Sequence, residues 1–439
     1  MKTNELRLPL RDRNINDVYA QMYPGRKMKS VTFIVTYGCP LDCGYCYCHY
    51  KDRNKSMSLE TAKKCVDLLF EEDAKHSSYI NEESTHGIIL DFIGGEPLLE
   101  IKLIDQIVDY FLLKAVELDH RWATQFMISM TSNGVHYFDK DVIDFLKKHE
   151  HRVSIAITID GNKELHDSCR VFPDGRGSYD LAAAAFKDAK ERFNYHGTKM
   201  TLAKANIKYL YKACRDMIET FDLTELWANC VYEDEWDAKD ASLFYAELKK
   251  MADWFVESGQ YEKTYFELFN GDVGVPLLPE DNQNWCGGTG DMLAFDIDGT
   301  CYPCMRYAPL SMPKEMSKQF VIGHCDTGLE TTECQHNCVE CLKKITRRSQ
   351  STDKCWNCPI GRGCAWCSAW NAECNGGNPD KRCTNICIMH QARCLATRYY
   401  YGKLAKKLGI ENHFALNVPE EWALEIIDKK EYEMLKEMK

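Results

Sequence analysis

The sequence predicts an α/β protein: a partial (β/α)6 TIM-like barrel followed by a cysteine-rich C-terminal domain. Two observations carry this. Over the first 250 residues, short apolar, β-rich runs alternate with amphipathic stretches, and repeated βα units imply a parallel sheet. Cysteines then crowd the other end of the chain, with eight of the 23 in residues 1–285 and fifteen in 286–439.

The strand-like runs are 30–36, 88–93, 126–131, 153–159, 199–203 and 226–231. Between them, 58–75 reads as helix: Ala62, Cys65, Val66, Leu69 and Phe70 share one face, and Ser58 is a fitting N-cap. In such barrels the chemistry sits on loops at the C-terminal strand ends. Residues 239–260 read as a further helix, and the tail beyond 395 returns to helix. The expected organisation is an N-terminal segment (1–27), the barrel (28–240), a bridge punctuated by Gly and Pro (241–285), the cysteine-rich domain (286–395) and C-terminal helices (396–439).

A net charge of -11 argues against a nucleic-acid or anionic-membrane partner. The opening MKTNELRLPLRDRN lacks the apolar core of a signal peptide, and no apolar run is long enough to span a bilayer. The expected location is therefore the cytoplasm, where this many cysteines point to metal binding rather than to a disulfide framework.

Cys39, Cys43 and Cys46 form a C-x3-C-x2-C loop directly after the first strand run. Taken alone this spacing also suits zinc, with Cys48 or His49 completing a tetrahedral set. Three polar motifs follow the next three strands: Gly94, Gly95, Glu96 and Pro97; then Ser132, Asn133 and Gly134; then Asp160 and Gly161, with Arg170 close behind. Each motif alone reads as a turn, but four in register at one end of successive strands mark a site.

On these residues, over roughly 28–235, the chain resembles the radical S-adenosylmethionine (radical SAM) family. The resemblance implies that Cys39, Cys43 and Cys46 hold a 4Fe–4S cluster whose fourth iron is chelated by SAM. It implies further that Tyr45 lies beside the adenine, and that Gly94, Gly95 and Glu96 meet the SAM amino group. Ser132 and Arg170 would contact the SAM ribose and carboxylate; Arg170 has an alternative as a surface ion-pair partner. The chemistry implied is cleavage of SAM to methionine and a 5′-deoxyadenosyl radical, which abstracts a substrate hydrogen. Cys48, Cys65, Cys169, Cys214 and Cys230 fit no ligand spacing and read as small core residues.

Beyond residue 285, Cys286, Gly299 and Cys304 make a C-x12-G-x4-C element, followed by Cys355, Cys358, Cys364 and Cys367 and then Cys387. This pattern resembles the two-cluster SPASM domain of radical SAM enzymes that modify peptides, departing where two residues, not three, separate Cys364 and Cys367. The resemblance implies one auxiliary cluster on Cys286, Cys304 and Cys367 and another on Cys355, Cys358, Cys364 and Cys387, hence three 4Fe–4S clusters in all. Cys301 could complete the first auxiliary set, or that set could stay open for a substrate thiolate. A pair of zinc knuckles is the other reading of this region. Cys334, Cys338 and Cys341 repeat the C-x3-C-x2-C spacing without a preceding strand, and their role is left open, as is a structural metal there. Lys343, Lys344, Arg347 and Arg348 read as a solvated helix face or a dock for an acidic peptide leader.

The function implied is maturation of a ribosomally made precursor peptide by a crosslink, foremost a Cys thioether, with a flavodoxin or ferredoxin as reductant. The same scaffold supports carbon–carbon or ether crosslinks and epimerisation. Anaerobic sulfatase maturation is disfavoured because Met305 stands where those enzymes carry an Asp. A non-enzymatic iron–sulfur or zinc module is disfavoured by the SAM-site motifs. With 38 residues ahead of Cys39, leader recognition is expected to fall to residues 1–30, the bridge, a separate protein or no dedicated element.

Overall fold

The computed structural model describes residues 28–77, 79–80, 85–193, 197–284 and 286–438. The expected N-terminal segment, and with it most of the leader element, lies outside the described residues.

Six parallel strands build the barrel: β1 (Met28–Thr36), β2 (Gly87–Gly94), β3 (Phe126–Ser132), β4 (Val153–Ile157), β5 (Gly197–Leu202) and β6 (Glu225–Cys230). All lie within two residues of the runs read from sequence, because each pairs a buried apolar face with flanking turn residues. Continuous backbone pairing stops between β4 and β5. There Asp160 Oδ1 accepts from the Thr201 N–H at 2.8 Å, and Thr198 Oγ1 donates to Ile157 O at 3.4 Å. Between β1 and β2, helix α1 (Leu59–Ala74) starts where expected, with Ser58 Oγ accepting from the Thr61 N–H. It buries Ala62, Cys65, Val66, Leu69 and Phe70 against the sheet. Helix α2 (Ile101–Glu117) follows β2 and α3 (Lys140–Lys148) follows β3. α4 (Lys163–Cys169) and α5 (Tyr179–Phe193) follow β4, and α6 (Leu210–Phe221) follows β5.

The helix read at 239–260 is α7 (Ala238–Ser258), begun by an Asp237 capping box and ended by Gly259 at φ 78°. A short β7 (Tyr265–Phe266) then pairs with β6.

The cysteine-rich region does not stand apart from the barrel. Its first strand, β8 (Met292–Phe295), pairs in parallel with β1, and β9 (Thr300–Tyr302), β10 (Gly323–His324) and β11 (Gly328–Leu329) continue the same sheet antiparallel. Leu293, Ala294 and Phe295 are fully buried, and this apolar run covers the otherwise open edge of β1. Helix α8 (Glu333–Lys343) carries Cys334, Cys338 and Cys341, and the short α9 (Ser368–Cys374) ends on Cys374. The long α10 (Cys387–Leu408) packs along α7 and runs through the boundary expected at 395/396. Among the described residues, no helix is long and apolar enough to cross a membrane.

Candidate active site

The C-terminal strand ends converge on a cavity of about 700 Å³. Cys39, Cys43 and Cys46 line it together with Tyr45, Gly94, Gly95, Glu96, Ser132 and Arg170. All nine candidates from the barrel thus meet in one place.

The two glycines are there for close approach. A Cβ on Gly94 would lie 2.3 Å from Thr36 O, and one on Gly95 would lie 2.2 Å from Gly38 O. Backbone bonds lock the contact, with the Gly95 N–H on Thr36 O at 3.0 Å and the Glu96 N–H on Gly38 O at 2.8 Å. Gly95→Ala is expected to destabilise the fold by about 3 kcal/mol, the upper part of the overpacking range, because rigid backbone faces the new methyl. An unchanged thermal unfolding midpoint would contradict this.

Glu96 is buried, and its carboxylate accepts from Ser132 Oγ at 2.8 Å, the Asn133 N–H at 2.8 Å and the Leu98 N–H at 3.1 Å. Burial pushes its pKa up, against these three donors. Ser132, expected at the ribose, is therefore engaged in positioning Glu96, and it also receives the Gly134 N–H.

Arg170 is no surface residue. Its Nε donates to Oδ2 of the fully buried Asp160 at 2.6 Å, its guanidinium stands 5.3 Å from the Tyr45 ring centroid, and Nη1 lies 4.0 Å from Cys43 Sγ. The Tyr45 hydroxyl also donates to Asp160. Behind this trio sits buried His166, whose Nδ1 accepts from the Asp160 N–H at 3.2 Å and whose Nε2 meets Ser178 Oγ at 3.0 Å. Burial lowers the His166 pKa to about 4. The unfolded chain then binds a proton that the fold refuses, so stability present above pH 6.5 is lost as the pH falls towards 4. The loss amounts to about 3 kcal/mol. His166→Gln is expected to flatten the stability–pH slope in this window, and a slope equal to wild type would contradict the assignment.

The cysteine loop itself is desolvated. Burial raises the thiol pKa of Cys39 to about 11 and raises that of Cys43, while a hydrogen bond from the Cys48 thiol holds Cys46 down at about 5. Lys51 also lines the cavity and favours thiolates there. Cys48 and Cys230, read as core residues, line the cavity as well, whereas Cys65, Cys169 and Cys214 are buried as expected.

Two further sulfur sets gather in the C-terminal region. Gly288 lies against both Cys304 and Cys286, since a Cβ there would sit 3.0 and 3.6 Å from their sulfurs. Ser368, next to Cys367, has its Oγ 3.3 Å from Cys286 Sγ. Burial, then the neighbouring Cys367 and Cys286, raise the Cys304 thiol. Cys301 is not brought to this set: it is fully buried on the opposite face of the β9 strand, beside Cys65 and Cys325. Strand alternation is the reason, because Tyr302 and Cys304 pack into the other core cluster.

Cys355, Cys358, Cys364 and Cys387 form the other set. Cys387 donates to Cys364, whose thiol is held well below its usual value by that bond. Arg382 Nη2 donates to Cys364 Sγ at 3.1 Å. Arg347, expected on a solvated face, is buried and donates to Gly361 O at 3.0 Å and Cys364 O at 3.3 Å, so it braces this loop.

Among the described residues, metal-capable groups with all donor atoms within 4.8 Å of one another are His324/Cys325/Asp326 and Asp105/Asp109/His149. None of the cysteine sets is drawn that tight.

Residues 33–213 match the model of the radical SAM superfamily. This stretch is a radical SAM domain. Such a domain implies SAM and a 4Fe–4S cluster, and the cysteine-lined, glycine-floored cavity fits both. An uncharacterized protein of Methanocaldococcus jannaschii is 30% identical over 151 residues, 34% of this chain and 45% of the relative. The radical SAM cyclopropyl synthase TigE of Paramaledivibacter caminithermalis is 20% identical over 84% of this chain and 72% of its own. The match thus spans under half of the first relative and most of the second. Among solved structures, anSMEcpe with bound AdoMet and Cp18Cys peptide superposes with a TM-score of 0.56 at 17% identity, over 87% of this chain and 98% of that one. Streptococcus suis SuiB bound to precursor peptide SuiA gives 0.51 at 13% identity, over 82% and 77%. These likenesses run past the radical SAM domain into the cysteine-rich region, so the fold is shared along most of the chain.

Sequence reasoning missed the far wall of the cavity. Tyr47, Lys199, Asn229, Tyr232, Glu233 and Arg306 all line it, as does Cys367. Arg306 Nη2 pairs with Glu233 Oε1 at 2.6 Å and its guanidinium lies 4.8 Å from the Tyr47 ring centroid. The available signals were the place of Tyr232 and Glu233 just past β6 and that of Arg306 two residues after Cys304.

Proposed function

We propose that this radical SAM enzyme matures a ribosomally made precursor peptide by joining a cysteine sulfur of that peptide to a carbon atom. One observation carries the reading. Cys367 shares a cavity with Cys39, Cys43 and Cys46, while Cys301 is turned away from Cys286 and Cys304. If Cys286, Cys304 and Cys367 hold an auxiliary cluster, its fourth coordination position is free for a substrate thiolate.

In this reading Cys39, Cys43 and Cys46 hold the SAM-binding cluster, and Cys355, Cys358, Cys364 and Cys387 hold a second auxiliary one. When bound, the first cluster and SAM supply a 5′-deoxyadenosyl radical, given an electron from a flavodoxin or ferredoxin. The protein's own part is positioning. Gly94, Gly95 and Glu96 receive the SAM amino group, with Ser132 and Asn133 holding the carboxylate in place. Arg170, fixed by Asp160, and Tyr45 take the opposite side. The Arg306–Glu233 pair forms the wall nearest Cys367, where the Glu233 carboxylate can accept the substrate thiol proton.

A second reading, formation of a carbon–carbon bond, draws on the similarity to the cyclopropyl synthase TigE. Either product is lighter than the precursor by two hydrogens. Thiol alkylation separates them after anaerobic turnover of a cysteine-containing precursor with SAM and dithionite. A thioether product resists iodoacetamide at that cysteine. A product that loses two hydrogens and still alkylates favours the carbon–carbon reading, and a Cys→Ser precursor processed at the wild-type rate removes the thioether reading.

A further inference from the structure

The second C-x3-C-x2-C-spaced feature, on α8, is not absorbed by either auxiliary set. Cys334, Cys338 and Cys341 lie at helical positions i, i+4 and i+7, which fall on one face. That face opens on a cavity of about 710 Å³, whose other wall is the loop Gly376–Asp380. All three cysteines line it; Cys334 and Cys341 are exposed and Cys338 is half-buried.

We propose that Cys334, Cys338 and Cys341 hold a further four-iron iron–sulfur cluster, seated in this second cavity.

Four features of the chain support this. The first is span: Cys334 and Cys341 are seven residues apart, about 10.5 Å along the helix axis. The three sulfurs line one cavity without being drawn within 4.8 Å of one another, a looser set than the spacing of about 3.8 Å that a single zinc gathers. The second is lining. Phe320, Leu342 and Ile345 are buried and give the cavity an apolar floor, of the kind that shields iron–sulfur centres from solvent. The third is room: the cavity between the thiols and the facing loop holds about 710 Å³, and a Cβ on Gly376 would meet nothing within 4 Å. The fourth is the remaining ligand position. Asp380 lines the same cavity and offers a carboxylate oxygen, oriented by Ser349 Oγ donating to Oδ1 at 2.6 Å.

No SAM site is implied. The thiols sit on a helix, not on a loop after a strand. Ligation replaces three S–H bonds with three Fe–S bonds and releases three protons. Two of the three thiols are exposed, while α8 packs against the turn that follows Cys286.

The proposal rests on the full-length chain and is independent of which peptide bond the enzyme makes. After anaerobic reconstitution with iron and sulfide, the wild type is expected to hold about sixteen irons. The triple variant C334A/C338A/C341A is expected to hold a quarter fewer, with 5′-deoxyadenosine formation retained. Equal iron content in the two proteins, or one zinc per chain at this site in place of iron, overturns the proposal. Should the triple variant fold poorly, alkylation of the wild type decides. Cys334, Cys338 and Cys341 are expected to resist iodoacetamide after reconstitution and to react fully once iron is chelated. Labelling to the same extent in both states overturns the proposal. A failed peptide assay alone leaves the iron count unaffected, so the two readings fail separately.

Discussion

Replacing Cys39 by alanine is expected to reduce 5′-deoxyadenosine formation to the level of a no-enzyme control. The side chain is 6% exposed at the mouth of the barrel, and Asn133 Nδ2 points at its sulfur from 3.8 Å. On the proposed assignment, losing one of three ligands leaves no stable seat for the cluster, so iron content should fall by about four per chain. Stability should change far less. Removing one sulfur from a loop costs about 1 kcal/mol, small beside typical cavity penalties for larger core side chains. Anaerobic incubation with SAM and dithionite, followed by chromatography of the nucleosides, checks the first outcome; thermal unfolding checks the second. Appreciable 5′-deoxyadenosine from a well-folded Cys39→Ala protein would refute the ligand assignment.

Cys367→Ala is expected to separate the two halves of the reaction. Cys367 belongs to the wall of the cavity opposite the Cys39 loop, beside Arg306, and it neighbours Cys286 and Cys304. If it holds the auxiliary cluster that receives the substrate thiolate, its loss leaves SAM cleavage running while the modified peptide disappears. Uncoupled 5′-deoxyadenosine, with the precursor recovered at its original mass, is the expected pattern. A purely structural Cys367 would move both quantities together. Glu233→Gln makes a useful companion, because its amide oxygen can still accept from Arg306 while the charge and the proposed proton acceptor are lost. It should slow product formation without altering iron content.

The barrel was legible in the sequence because its signals are local. Each strand is a short apolar run bounded by turn residues, and Ser58, Asp237 and Gly259 mark helix ends by their own chemistry. The grouping of cysteines was equally legible wherever spacing is short, as in Cys39–Cys46 and Cys355–Cys364. Three things were hidden because they depend on partners distant in sequence. β8 is only four residues long, and nothing near it says that it completes the edge of β1. Arg347 lies in a basic run that reads as solvated, yet folding turns it onto the Cys364 loop. Tyr232, Glu233 and Arg306 come from separate segments and meet only across the cavity. Cys301 is different, for the two-residue period of a strand already separates its face from that of Tyr302.

The central claim is that a radical made in this cavity takes hydrogen from a peptide. Its most direct test is isotopic: a precursor peptide carrying deuterium at the carbon to be joined, incubated anaerobically with the enzyme, SAM and dithionite. The account predicts deuterium in the recovered 5′-deoxyadenosine, together with a peptide that has lost that deuterium and the cysteine S–H. Unlabelled 5′-deoxyadenosine beside a peptide that had been modified would contradict it.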